Sequence, residues 1–314
     1  FDGAGHLYVN VGAPSNACQQ QDRRPGSPGI DPCPLLAEHG GIWRFSADRS
    51  DQRFSAAARY ATGLRNDVAI AWNRAAGALY TVMMGRDQLH DNWPQRFTVQ
   101  QSAELPAEEL LRIEPARDTV SGTVGAGASR GPRPTPSSAS PPAPPAPTSH
   151  RSGTVSGPGG NYGWPYCYYD GIRNALVLAP EYGGDGKRIG RCARYRQPLA
   201  AFPAHWAPEA IAFYDRDAFP ARYRGGAFIA FHGSWNRAPL PQQGFVVAFV
   251  PFAGGRPSGP WRVFADGFAG RDAVIAPGDA RFHPVGVAVA PDGALYVADS
   301  QRGWIWRITY SARQ

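Results

Sequence analysis

No stretch of the chain approaches the roughly 20 consecutive apolar residues that a membrane-spanning helix requires, and nowhere do five basic residues follow one another. Nucleic-acid surfaces show a basic stripe or a recognisable module of interleaved aromatics. Here arginines such as Arg65, Arg86, Arg237 and Arg281 stand singly, so the net charge of +7 is scattered. Isolated guanidiniums suit a small anionic ligand, and most of them also read as ordinary solvated surface. The absence of any Cys-x-x-Cys pair argues against the common zinc and thioredoxin-like motifs. The chain opens at Phe1 with neither a basic n-region nor an apolar h-region, so any export signal is expected outside it.

Chain punctuation, by contrast, is abundant. Gly (37) and Pro (31) together make up about one in five of the 314 residues, which disfavours a helical bundle and favours many short strands joined by turns. Hydrophobic residues at 43% and aromatics at 12% suffice for a substantial core, excluding wholesale disorder. The length allows two average domains or one large all-β domain.

The four cysteines flank irregular, Gly- and Pro-rich loops. The simplest of three possible pairings is Cys18–Cys33 with Cys167–Cys192, each loop closure contributing about 3 kcal/mol; four free buried thiols are the alternative. Disulfides imply an oxidising compartment, periplasmic or extracellular.

The chain also repeats itself. Residues 65–85, 207–233 and 283–300 each give an apolar run, a turn and a second apolar run. The second run opens Gly77-Ala-Leu79-Tyr80, Gly226-Ala-Phe228-Ile229 and Gly293-Ala-Leu295-Tyr296. A Gly-bearing turn between two β-rich runs signals a hairpin. A third run follows each: Leu110–Ile113, Phe245–Val250 and Trp304–Ile308. Phe1–Val9 and Gly41–Phe45 make a fourth copy that begins at its second strand, so the chain is expected to be a truncated piece. Small antiparallel sheets recurring at roughly 70 residues read as propeller blades; a β-sandwich with coincidental hairpins is the alternative. Between the copies, residues 117–159 are low-complexity, with Pro at 8 of the 19 positions of 131–149, and are expected to form a flexible insertion. The expected organisation is therefore 1–116 propeller blades, 117–159 disordered insertion and 160–314 further blades, about four blades in all.

Several stretches resemble the soluble quinoprotein sugar dehydrogenases, in particular the L-sorbosone and pyranose dehydrogenase branch that uses pyrroloquinoline quinone (PQQ). They are Tyr60-Ala-Thr-Gly-Leu-Arg-Asn66, Gly85-Arg-Asp-Gln-Leu89, Leu105-Pro-Ala-Glu-Glu109, Asn161-Tyr-Gly-Trp-Pro-Tyr-Cys-Tyr-Tyr-Asp170, Pro180-Glu-Tyr-Gly-Gly-Asp185, Phe231-His-Gly-Ser-Trp-Asn-Arg237 and Pro284-Val-Gly-Val-Ala-Val-Ala-Pro-Asp-Gly293. The resemblance implies an all-β, six-bladed propeller, a PQQ and Ca²⁺ site, and oxidation of a sugar or sugar aldehyde with electrons passed to an external acceptor, a cytochrome or quinone pool. It implies neither a nucleic-acid partner nor a transmembrane segment.

By the same resemblance Arg65 and Asn66 contact the quinone, and Gly85 and Arg86 close a turn whose backbone oxygens hold calcium, with Asp87 adding a carboxylate or merely holding the turn. The type of chemistry agrees: calcium takes oxygen ligands and arginine forks onto carboxylates. His232 and Arg237 read as cofactor contacts, with His232 also a proton acceptor, although a lone His is more often structural. His205 and Trp206 wall the substrate pocket, or Trp206 packs in the core. His283 stands where the family commonly carries arginine, a weaker anchor for a carboxylate because imidazole is mostly neutral at pH 7. The family's main catalytic histidine corresponds to a position before Phe1. Rival readings are a propeller that binds carbohydrate or protein without turnover, a truncated inactive remnant, and a calcium-dependent lactonase-type hydrolase, which would need a cluster of inward carboxylates.

Overall fold

A computed structural model describes residues 1–114, 160–271 and 273–311; the low-complexity segment 117–159 lies outside them. The first sheet joins β1 (His6–Val11), β2 (Gly41–Ser46) and β3 (Arg59–Thr62). The second opens with β4 (Ala69–Asn73), β5 (Ala78–Met83) and β6 (Glu108–Ile113). Short helices α1 (Leu89–Asn92) and α2 (Val99–Glu104) interrupt the run from β5 to β6. A hairpin of β7 (Cys167–Asp170) and β8 (Ala175–Leu178) follows, and β9 (Ala200–Phe202) returns as the fourth strand beside β6.

The third sheet orders β10 (Pro208–Phe213), β11 (Ala227–Phe231) and β12 (Val246–Val250). After the small hairpin β13 (Phe252–Ala253) and β14 (Arg256–Pro257), β15 (Arg262–Ala265) closes it. The last sheet is β16 (Pro284–Val289), β17 (Leu295–Asp299) and β18 (Ile305–Ile308). All these pairings are antiparallel, so the hairpin repeats are four successive blades. Among the described residues no helix is long and apolar enough to cross a membrane.

The blades stack because each central strand is apolar on both faces. Along a strand successive side chains alternate between faces. In β11, Ile229 and Phe231 therefore join Tyr80, Val82 and Leu110 of the second blade, while Phe228 packs with Phe249, Leu295 and Val297 toward the fourth. Every residue of β11 is buried. The second blade uses its other face, Leu79, Met83 and Leu111, against Ile42 and Ala61 of the first. Each such large side chain contributes roughly 1.5–3 kcal/mol on burial.

Both disulfides are formed, Cys18–Cys33 and Cys167–Cys192, and their cystines pack in one cluster with Trp164, Tyr166 and Tyr195. The two loops thus share a core of their own, on which the indole of Trp164 donates to the Asn16 carbonyl (3.0 Å).

Two acids are buried in the face between the first and second blades. Asp67 accepts from the Thr81 hydroxyl (3.0 Å), and burial pushes its carboxyl up to about 7. Glu109 on the same face is likewise raised, by burial first and by the neighbouring Asp67 and Glu108. A carboxyl raised in the folded state from an unfolded value of about 3.9 contributes fully below pH 4, and that contribution is lost as pH rises through 7. Between pH 5 and 8 the unfolding free energy is expected to fall by about 2.5–3 kcal/mol through Asp67. Asp67→Asn keeps the Thr81 bond and should flatten the slope; urea unfolding across this range, wild type against variant, checks it.

Candidate functional site

Three blades end alike. The residue after the second strand donates its N–H to a residue at the entry to the first: Met84 to Asn66 (2.9 Å), His232 to Ala207 (2.9 Å) and Ser300 to His283 (3.1 Å). This shared closure brings Arg65-Asn66, His205-Trp206 and His283 to one end of the molecule, together with the turns 84–88 and 232–237. Two close approaches shape the turns. A Cβ at Gly85 would lie 2.7 Å from the Pro106 ring, and Gly233, at φ +103°, holds a backbone conformation that side chains rarely adopt.

At the centre stands the Asp87 carboxylate, buried to 8% exposure. Its Oδ2 receives Arg65 (2.9 Å) and Arg23 (3.2 Å), and its Oδ1 receives the Asn236 amide (2.8 Å). Asn16 pins the backbone of the same residue twice, accepting from Asp87 N–H and donating to Asp87 C=O, both at 2.9 Å. Burial opposes ionisation of Asp87, but the surrounding charges, Arg65 foremost, and the Arg23 hydrogen bond together outweigh it and hold the carboxyl below its ordinary value. Arg65 also donates to the Gly85 carbonyl (2.6 Å). Two oxygens, Gly85 O and Asp87 Oδ2, thus converge on one positive charge.

Glu108 of β6 staples two blades at this point, accepting from Gly85 N–H (2.8 Å) and Ala207 N–H (3.2 Å). Burial pushes its carboxyl up to about 8 although these donors favour the ionised form. His205 bonds through Nε2 to the Ser102 carbonyl (2.9 Å). A carbonyl only accepts, so the neutral ring carries its proton on Nε2 and turns the Nδ1 lone pair toward Asp87 Oδ1, 3.7 Å away. Burial keeps that ring below its ordinary pKa.

His232 and His283 form a second group, rings 4.4 Å apart. His283 Nδ1 donates to the His232 carbonyl (3.1 Å), and His232 Nε2 meets the Ser300 hydroxyl (3.1 Å). Burial, and the neighbouring His283, lower the His232 pKa, which leaves it able to accept a proton at neutral pH. The turn 232–237 links this pair to the Asp87 group through Asn236.

Arg65, Gly85, Asp87 and His205 are therefore brought together, with Asn66 adjacent; His232 and His283 pair on the neighbouring blade. Three sequence candidates are committed elsewhere. The Arg86 guanidinium is buried against Glu181, a pair completed by Asn92 (3.3 Å) and by the Trp93 indole on the other Glu181 oxygen (2.8 Å). Arg237 is a structural clamp, donating to the carbonyls of Ala103 (2.9 Å), Ala204 (3.2 Å) and Pro241 (3.2 Å). Trp206 packs edge-on against Phe231 and Trp261 in the core. Asn16, Arg23, Glu108 and Asn236 were not singled out from sequence; only Glu108 and Asn236 lay inside motifs that drew attention.

Among the described residues no three His, Cys, Asp or Glu side chains cluster in a metal-binding arrangement, so the carboxylate cluster that a lactonase-type hydrolase needs is not found there. A cation at this site would draw on backbone and amide oxygens as well as Asp87, as calcium does.

Residues 144–311 match the TrAA12-like family, and the chain belongs to that family. The holo form of the pyranose dehydrogenase PQQ domain from Coprinopsis cinerea is 20% identical, with a TM-score of 0.61 over 98% of this chain and 67% of that one. The calcium structure of the Trichoderma reesei carbohydrate-active enzyme of family AA12 is 19% identical, with a TM-score of 0.58 over 96% of this chain and 64% of that one. An uncharacterized protein of Borreliella burgdorferi is 28% identical over 153 residues, 48% of this chain and 36% of its own length. The fold is that of the six-bladed propeller sugar dehydrogenases, and the chain spans about two thirds of the length of these solved structures and about a third of the curated relative.

The buried Arg86–Glu181 pair beneath the turn generates a stability prediction. Removing one charge leaves the other buried and unpaired, costing about 3–5 kcal/mol. Arg86→Met should lose that much in chemical denaturation, while Arg86→Met with Glu181→Leu should recover a large part of it.

Proposed function

We propose that the protein is a PQQ- and calcium-dependent dehydrogenase that oxidises a sugar or sugar aldehyde and hands the electrons to a separate acceptor. The observation that carries this reading is the convergence of Gly85 O and Asp87 Oδ2 on a positive charge, ringed by the donors of Arg65, Arg23 and Asn236, in a chain of the TrAA12-like family. Membership of that family and the likeness to a PQQ domain and to a calcium structure support it.

The residues fit both groups. Guanidiniums of Arg65 and Arg23 and the amide of Asn66 would hold quinone carboxylates and carbonyl, through the planar fork that suits them. Gly85, Arg86 and Asp87 would supply calcium with backbone and carboxylate oxygens, and calcium would replace the charge that Arg65 now presents to those oxygens. Two buried polar atoms at the site, Arg65 Nε and Asn236 Oδ1, have no hydrogen-bond partner among the described residues, one a donor and one an acceptor open to a ligand. When bound, PQQ supplies a two-electron acceptor and calcium polarises it.

The chain's own residues have simpler tasks. Arg65 and Asn66 orient the bound group, Glu108 fixes the Gly85 turn against the next blade, and His232, neutral and half-buried, takes the substrate hydroxyl proton at its ring nitrogen. His283 anchors more weakly than an arginine. Two buried disulfides support an oxidising compartment, periplasmic or extracellular, as its location.

Titration with PQQ followed by its absorbance tests the assignment. Uptake should require calcium, and Arg65→Met and Asp87→Asn should each weaken it at least tenfold while the unfolding transition stays cooperative. Uptake indifferent to calcium and to both substitutions would remove the site.

A further inference from the structure

A serine that the quinone reading leaves unused stands beside a base. Ser300 follows β17 and is exposed. Among the described residues its hydroxyl has one hydrogen bond, to His232 Nε2 at 3.1 Å. Its backbone is fixed by the N–H it donates to the His283 carbonyl (3.1 Å), and that of His232 by the N–H donated to the Ala207 carbonyl (2.9 Å). The two side chains therefore meet from neighbouring blades on pinned backbones. A serine hydroxyl is a weak nucleophile until a base within about 2.6–3.2 Å takes its proton, with a third group orienting that base.

His232 meets these conditions. Burial, with His283 beside it, lowers its pKa, while a bond from the ring to the Gly233 backbone and the charge of Asp299 pull the other way. A backbone contact that favours the imidazolium is one made to a carbonyl. The ring therefore carries its proton toward Gly233 and presents a lone pair at Nε2 to the Ser300 hydroxyl. Asp299, the residue before Ser300, accepts from the N–H groups of His283 and Arg302 (both 2.6 Å), bonds that favour its ionised form. A negative charge to support a protonated His232 is thus already in place. Those bonds, with the one from Ser300 N–H to His283, also occupy the nearest backbone donors. A developing oxyanion lacks their help, and each such donor is worth about 10²–10³ in rate. The pair therefore suits substrates whose leaving group departs easily.

We propose that Ser300 and His232 form an acyl-transfer dyad that hydrolyses carboxylic esters of good leaving groups, aryl esters in particular. Ser300 Oγ forms a bond to the ester carbonyl carbon as its proton passes to His232 Nε2. The bond from that carbon to the aryl oxygen then breaks, and the proton moves from Nε2 to the departing oxygen. Water, giving its proton to the same nitrogen, attacks the acyl-serine, and the acid leaves as Ser300 regains its proton. Ester and water give acid and phenol, with no change of oxidation state. Neither quinone nor metal takes part, so this activity is independent of the proposed oxidation and shares only its base.

Diisopropyl fluorophosphate tests the nucleophile directly, because attack by Oγ expels fluoride and leaves a stable phosphoryl ester on the serine. With the whole chain and no added cofactor, mass spectrometry should find the label on the peptide that holds Ser300. Ser300→Ala should remove it from that peptide, and His232→Asn should slow labelling by about tenfold or more, both variants unfolding as cooperatively as the wild type. Hydrolysis of para-nitrophenyl acetate should rise in proportion to protein and fall by about tenfold or more in each variant. Labelling and hydrolysis by a protein that takes up no PQQ would uphold the dyad and remove the quinone reading. Label confined to other residues, labelling of Ser300 indifferent to His232→Asn, or hydrolysis equal in wild type and Ser300→Ala would overturn the dyad.

Discussion

The carboxylate of Asp87 is the constraint on which the site depends. It is buried, and a buried charge is tolerated only when it is paired and hydrogen-bonded. Its partners come from four separate parts of the chain: Arg65 before β4, Arg23 inside the Cys18–Cys33 loop, Asn236 after β11, and Asn16 on its backbone. Satisfying one negative charge therefore forces the ends of two blades and a disulfide-closed loop into a single arrangement. The arrangement carries more positive than negative charge, and in a low-dielectric setting that excess favours an anionic ligand.

The blades supply the frame and the loops supply the chemistry. Inter-blade packing of aromatic and aliphatic side chains on both faces of β5 and β11 fixes where each strand begins and ends. The closures at Asn66, Ala207 and His283 then present one residue from each blade at a common level. Glu108 and the Arg86–Glu181 pair lock the turn that carries Asp87 from two sides. The second loop pair, clustered about both cystines and Trp164, reaches the same turn through Asn16. Removing the disulfide restraint on residues 18–33 would release Arg23 from a carboxylate that the blades alone leave short of donors.

Much of the fold was legible in the amino-acid order because the inner strands are paired by local hairpins. Gly77-Ala-Leu79, Gly226-Ala-Phe228 and Gly293-Ala-Leu295 each open a second strand, and β1, β2, β6, β12 and β18 fall on the runs expected. The outer strands β3, β9 and β15 are short and irregularly placed, and pair with partners set by tertiary packing, so no periodicity announces them. Helices α1 and α2 are single turns or little more, too short for a hydrophobic period. At the site, the family resemblance and the blade register pointed to Arg65, Gly85, Asp87 and His205, but neither could tell a guanidinium that faces a ligand from one that holds a carbonyl. Arg86 and Arg237 are the second kind. Trp206 shows the same limit: only the packed sheets decide that its indole is buried against Phe231 and Trp261. Asn16 and Arg23 reach Asp87 across more than 60 residues of chain, a juxtaposition that no local pattern encodes.

The most direct test is a crystal structure of the chain grown with PQQ and calcium. The account requires the quinone to lie against Arg65 and Asn66 at the common end of the blades, with the metal on Gly85 and Asp87 oxygens and the Arg65 guanidinium moved off them. Electron density for the quinone on an outer blade face, or an Arg65–Asp87 pair unchanged in crystals saturated with both ligands, would contradict it.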